Sequence, residues 1–145
     1  MKLHKKEIAR RQIDTAIELF FRRKDYLSIV TLASAGEEII GNLLERANSK
    51  NMVGYLVDLD KKLTGAGRPF EVVNHEINGF RNSLKHAKDP NEDEIDVAQE
   101  QEHAIAMLSR AITNYNKLER RLSGRMEEFY DWLRQNRPDL FTSNS

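Results

Sequence analysis

The sequence contains no cysteine, only three prolines and seven glycines, and no net charge. Without cysteine there is no disulfide scaffold, no thiolate zinc site and no cysteine nucleophile. So few turn formers argue against a β-sandwich, which needs turn residues at roughly every 8–12 positions. No apolar run approaches the roughly 18–20 residues of a membrane span, and no signal-peptide pattern opens the chain. The expectation is therefore a soluble, cytoplasmic protein with no membrane partner. What is present is a chain of 145 residues, 39% hydrophobic and 32% charged. That is too apolar for a disordered tail. It is long enough for one domain that buries about 70% of its unfolded surface without a staple.

The balanced charge is unevenly spread. Residues 1–11 carry Lys2, Lys5, Lys6, Arg10 and Arg11 against Glu7 alone. Residues 89–102 carry Asp89, Glu92, Asp93, Glu94, Asp96, Glu100 and Glu102 with no basic residue. This balance argues against a broad polyanion-binding surface, whereas a local basic patch remains able to hold a short strand. The plain reading of both runs is solvated helix termini, and acids at a helix start also suit its dipole.

Helical spacing dominates. Ala9, Ile13, Ala16, Ile17 and Phe20 form one stripe at intervals of three and four, closed by Arg22, Arg23 and Lys24. Asp25 is the expected N-cap of a second helix reaching Ala47, whose apolar residues wrap most of its circumference around Glu37 and Glu38. A loop at Asn48–Asn51 precedes a short helix over Val53–Leu63, and Thr64–Pro69 breaks it. Phe70, Val73, Ile77, Phe80, Leu84 and Ala87 predict a helix over Phe70–Ala87, ended by Lys88-Asp89-Pro90-Asn91. A long helix is expected over Ile95–Leu122 and a last one after Ser123-Gly124, carrying Met126, Phe129, Tyr130 and Leu133. The fold expected is all-α: an up-down bundle of four main helices with a short helix and a C-terminal helix. It forms one domain over 1–137, with a frayed tail over 138–145.

One constellation can carry chemistry. On the helix over Phe70–Ala87, about 100° per residue sends Asn82, His75 and His86 away from the apolar stripe. Asn78 and Lys85 lie beside them, and Arg81 lies on the flank. Histidine exchanges protons near neutral pH, and the guanidinium fork of arginine binds phosphate oxygens. Arg68 and His75 share a comparable spacing, but Arg68 precedes Pro69 in an expected loop.

The segment Arg81-Asn82-Ser83-Leu84-Lys85-His86 resembles the motif of the HEPN superfamily, an Arg and a His separated by four to six residues on a helix. Asn82 directly follows the Arg, as a polar residue does in many members. Lys24-Asp25-Tyr26 with Leu32-Ala33-Ser34-Ala35-Gly36-Glu37-Glu38-Ile39-Ile40 resembles the helix pair that opens such domains. The resemblance covers roughly Ile8 to Leu122, leaving the helix over 124–137 as an extension. It implies a metal-independent endoribonuclease, often a toxin or defence component, acting as a homodimer on RNA without a cofactor. Arg81, His86 and Asn82 would be its catalytic residues, with Glu37, His75 and Lys85 in support. A nucleotidyltransferase-type antitoxin is the protein partner implied. The alternative is a non-catalytic, dimeric interaction or nucleotide-binding module. Glu37 also admits a purely structural reading, as a buried acid paired to an Arg. His4 and His103 lack metal-ligand spacing, Glu100 and Glu102 beside His103 find no marked partners, and Tyr26, Tyr115 and Trp132 read as core.

Overall fold

The computed structural model describes residues 1–47 and 78–141. The expected helix over Val53–Leu63, the loop Thr64–Pro69, the first half of the motif helix and His75 lie outside the described residues. Within them, all regular structure is helical, as the periodicity predicts.

Helix α1 spans Lys5–Phe21 and buries Ala9, Ile13, Ala16, Ile17 and Phe20, the expected stripe without exception. A turn at Arg22–Lys24 leads into α2, Tyr26–Arg46, where the Asp25 carboxylate accepts from the Ser28 N–H at 3.1 Å. Such a cap satisfies one of the N–H groups that a helix start leaves unpaired. By length and mean hydropathy α2 would pass as a membrane span, contrary to the reading of its apolar runs. Here Ile29, Val30, Ala33, Ile40 and Leu44 are buried within the helical core.

The long helix that follows is shorter than expected at both ends. Helix α3 spans Glu100–Glu119 and not 95–122. At its start, the Asp96 side chain captures the Ala98 N–H in a local turn, and Ile95 and Val97 stand exposed. At its end, Arg120 takes the left-handed conformation (φ 59°) and stops the helix. Helix α4, Gly124–Asn136, starts from the N-cap Ser123. The Ser123 hydroxyl also donates to Asp14 at 2.6 Å, tying the start of α4 to α1.

The core has Ile13 and Ile17 of α1, Ile29 and Ile40 of α2, Ile105, Leu108 and Ile112 of α3, and Phe129 of α4 fully buried. Each such side chain contributes about 1.5–3 kcal/mol of transfer free energy. Phe20 forms the aromatic centre, with Tyr26, Phe129 and Trp132 at 6.0, 5.4 and 4.9 Å between ring centroids. The fraying expected from residue 138 does not begin there. Pro138–Leu140 forms a 3-10 turn with Leu140 buried, and Arg137 reaches Glu102 of α3 at 2.6 Å. The buried Leu140 and the Arg137 ion pairs with Glu102 and Asp139 hold that turn down.

Candidate functional site

The site grows out of α2. Its small residues Ala33, Ser34 and Gly36 face inward, letting α1 approach, and the next position on that buried side is Glu37, whose side chain is only 3% exposed. An isolated buried carboxylate is costly, so it must find donors. Three side chains supply them. Arg110 Nε donates to Oε1 at 2.8 Å, Asn114 Nδ2 donates to the same oxygen at 3.2 Å, and Arg81 Nη1 lies 3.7 Å from Oε2. Arg110 in turn donates through Nη1 to the Asn78 carboxamide at 3.2 Å. The Arg110 pair is the strong one by distance, and Arg81 makes the looser, outer contact.

This geometry rearranges the expected motif. Residues 78–83 are helical, and Asn78 and Arg81, three apart, share a face. That face turns inward to Glu37 and Arg110, so Asn78 does not sit on the solvent side expected for it. Phe80 stacks on His103 of α3, with ring centroids 3.9 Å apart, and presses the segment against the bundle. The helix then stops at Ser83 and does not continue to Ala87. Its closing turn is tightened by Lys85 N–H donating to the Asn82 carbonyl at 3.0 Å and Ser83 Oγ to the Phe80 carbonyl at 2.7 Å. Hydroxyls that bond back to the preceding turn compete with helix continuation. His86 therefore lies on irregular chain, exposed like Asn82 and Lys85, and not in mid-helix.

Of the expected site residues, the structure brings together Glu37 and Arg81. Among the described residues no hydrogen bond or ion pair joins the Arg81 side chain to that of His86 or Asn82. Glu38 is exposed, as expected. Arg110, Asn114 and Asn78 were not anticipated. Arg110 and Asn114 are four apart on α3, polar positions flanked by Leu108, Ala111, Ile112 and Tyr115, and that interruption of an apolar stretch was their only signal.

Glu37, Glu38, Arg81 and Arg110 line an open cleft of about 350 Å³. With Glu45 also in the lining, three carboxylates face two guanidinium groups, so the wall carries no surplus positive charge and any anion would have to be held by Arg81 and Arg110 locally. Among the described residues, Arg81 Nε is buried and finds no hydrogen-bond partner. An unsatisfied buried donor costs about 1–3 kcal/mol. Among the described residues no three His, Asp or Glu side chains converge as metal ligands. No protein family, curated protein or solved structure matches the chain.

Proposed function

We propose that this protein is a HEPN-like, metal-independent endoribonuclease that works as a homodimer, with Arg81 and His86 as its reacting pair. The observation that carries the reading is the meeting of Arg81 with Glu37. The two segments that resemble the superfamily, one on α2 and one around residue 81, are far apart in sequence and converge on one ion pair. Glu37, held in turn by Arg110 and Asn114, anchors the Arg81 guanidinium through Nη1, and the remaining donors of that fork would meet a phosphate oxygen.

The chemistry uses the substrate's own nucleophile. His86 takes the proton from a ribose 2′-OH, and that oxygen attacks the adjacent phosphorus. Arg81 stabilises the charge gathering on the phosphoryl oxygens. The bond to the 5′-oxygen breaks, that oxygen takes a proton from water, and the products are a 2′,3′-cyclic phosphate and a 5′-hydroxyl. Asn82 is the third residue of the proposed site, to hold the phosphate or orient the imidazole.

A homodimer is part of the reading because Asn82, Lys85 and His86 are exposed and become a cleft only when a second surface covers them. Beside them lies an apolar groove of about 530 Å³ whose walls include Leu27, Leu32 and Leu84. A second copy seated there places two motifs near a common axis. One observation favours the rival reading of a non-catalytic interaction or nucleotide-binding module: the acidic stretch Asp89–Asp96 follows His86 closely and repels an RNA backbone. On the nuclease reading a nucleotidyltransferase-type antitoxin is the protein partner proposed.

Labelled RNA incubated with the purified protein in EDTA tests the assignment. Cleavage is expected to persist and to leave cyclic phosphate ends, while DNA of the same sequence stays intact. Arg81→Ala and His86→Ala should each slow cleavage about a hundredfold or more. RNA that survives the wild-type protein, or that His86→Ala cuts equally fast, makes the interaction module the better description.

A further inference from the structure

The beginning of α1 and the ends of α2 and α3 meet around a second cleft, of about 490 Å³. Its lining includes His4 and Lys6 from α1, Leu43 and Arg46 from α2, and Leu118 and Glu119 from α3. The floor is apolar and the rim is cationic. Lys6 is neutralised by Glu119 at 3.0 Å. Lys2, Lys5, Arg46, Arg120 and Arg121 around it are exposed and make no ion pair with a described residue. Arg120 and Arg121 directly follow the end of α3. Tyr115, one turn before that end, shows how close the charges lie. Its hydroxyl is held above its ordinary range first by burial and then by Glu119 and Glu7, against the opposing pull of Arg121 and Arg10.

Local stability explains only half of this patch. Arg46 lies in the last turn of α2 and Arg120 caps α3, where cations suit the helix dipole. Lys2, Lys5 and Lys6 stand at the start of α1, where cations oppose the dipole and acids would be preferred. The fold uses Lys6 through Glu119, whereas Lys2 and Lys5 make no ion pair with a described residue. A polyanion lying across this end gains from all of them.

We propose that this end of the bundle is a docking surface for single-stranded RNA, separate from the Arg81 site. Lys2, Lys5, Arg46, Arg120 and Arg121 contact successive phosphates, and the Leu43–Leu118 floor receives an unstacked base beside His4. The choice of RNA over other polyanions rests on the nuclease reading, and the charge argument does not.

Fluorescence anisotropy with the full-length chain and a labelled single-stranded 2′-O-methyl RNA tests the surface, because that probe lacks the cleavable 2′-OH. Combining Lys5→Glu with Arg120→Glu should weaken binding about tenfold or more and flatten the salt dependence. Arg134→Glu, on the last turn of α4, should leave the affinity within about twofold, as the loss of a charge outside the contact predicts. Lys5→Glu alone should also hold or raise the melting temperature, since it relieves the dipole, so lost binding is not lost folding. Unchanged affinity in the double variant overturns the proposal. So does a patch whose reversal abolishes binding to anionic phospholipid vesicles but leaves RNA affinity intact. If the 2′-O-methyl probe binds as described while unmodified RNA is never cut, the nuclease reading falls and this surface stands. RNA that is cut while its affinity ignores these charges does the reverse.

Discussion

Glu37 is a carboxylate in a helix that is otherwise apolar on its buried side, and it persists because three donors surround it. Burial raises the value of each hydrogen bond and also the cost of losing a partner. Removing the carboxylate leaves Arg110, whose side chain is 9% exposed, as a buried cation without its counter-charge. Glu37→Ala should therefore lower unfolding free energy by about 3–5 kcal/mol, the range for breaking a buried pair from one side. Arg81→Ala should cost distinctly less, since its contact is longer and its side chain more exposed. Urea denaturation of the two variants measures the contrast. A larger loss for Arg81→Ala would reverse the ranking of the two arginines as partners of Glu37.

At the scale of helices, the α1–α2 contact depends on a missing side chain. A Cβ at Gly36 would lie 2.8 Å from Ile13 Cγ1 and 2.9 Å from the Ala9 carbonyl oxygen. The second neighbour is backbone and cannot rotate aside. Gly36→Ala should destabilise the fold by about 1–3 kcal/mol, the usual cost of overpacking, although alanine is the better helix former by about 1 kcal/mol. A rise in melting temperature for this variant would mean that the helices part at little cost. The turn between these helices adds a pH dependence. Ser28 bonds hold the Asp25 carboxyl below its ordinary range, chiefly through the side-chain hydroxyl. A lowered folded-state value means that Asp25 stabilises the protein above the ordinary carboxylate range. That contribution is lost as pH falls through the lowered value. Asp25→Ala should cost about 1 kcal/mol near neutral pH, as N-caps do, and proportionately less in acid. Thermal melts across the acidic range check the trend.

For the whole molecule, charge and apolar surface are segregated. The start of α1 and the ends of α2 and α3 are basic, the segment before α3 is acidic, and the groove beside Leu84 is apolar. Such segregation suits a protein with more than one partner surface. Light scattering should find a dimer at micromolar concentration, and Leu27→Glu in the groove should shift it to monomer while circular dichroism stays helical. A wild-type monomer across that range would remove the second copy from the groove and with it the shared cleft.

The helical class, the stripe of α1, the Asp25 cap and the Ser123 start of α4 were legible in the sequence. Each depends on residues within a few positions of one another, and local spacing records local causes. The motif helix was overextended because apolar spacing continues through Leu84 and Ala87, whereas backbone competition from Ser83 and the turn at Asn82 ends it earlier. Burial of Leu140 escaped notice because a single apolar residue after a proline has no period. The pairing of Glu37 with Arg110 and Asn114 spans 73 and 77 positions, and no pattern along the chain encodes which polar side chain meets which. Sequence alone determined that Glu37 needed a partner, since an unpaired buried charge is intolerable. Only the packing of α2 against α3 decided that the partner is Arg110, because that contact sets which side chains come within hydrogen-bond reach.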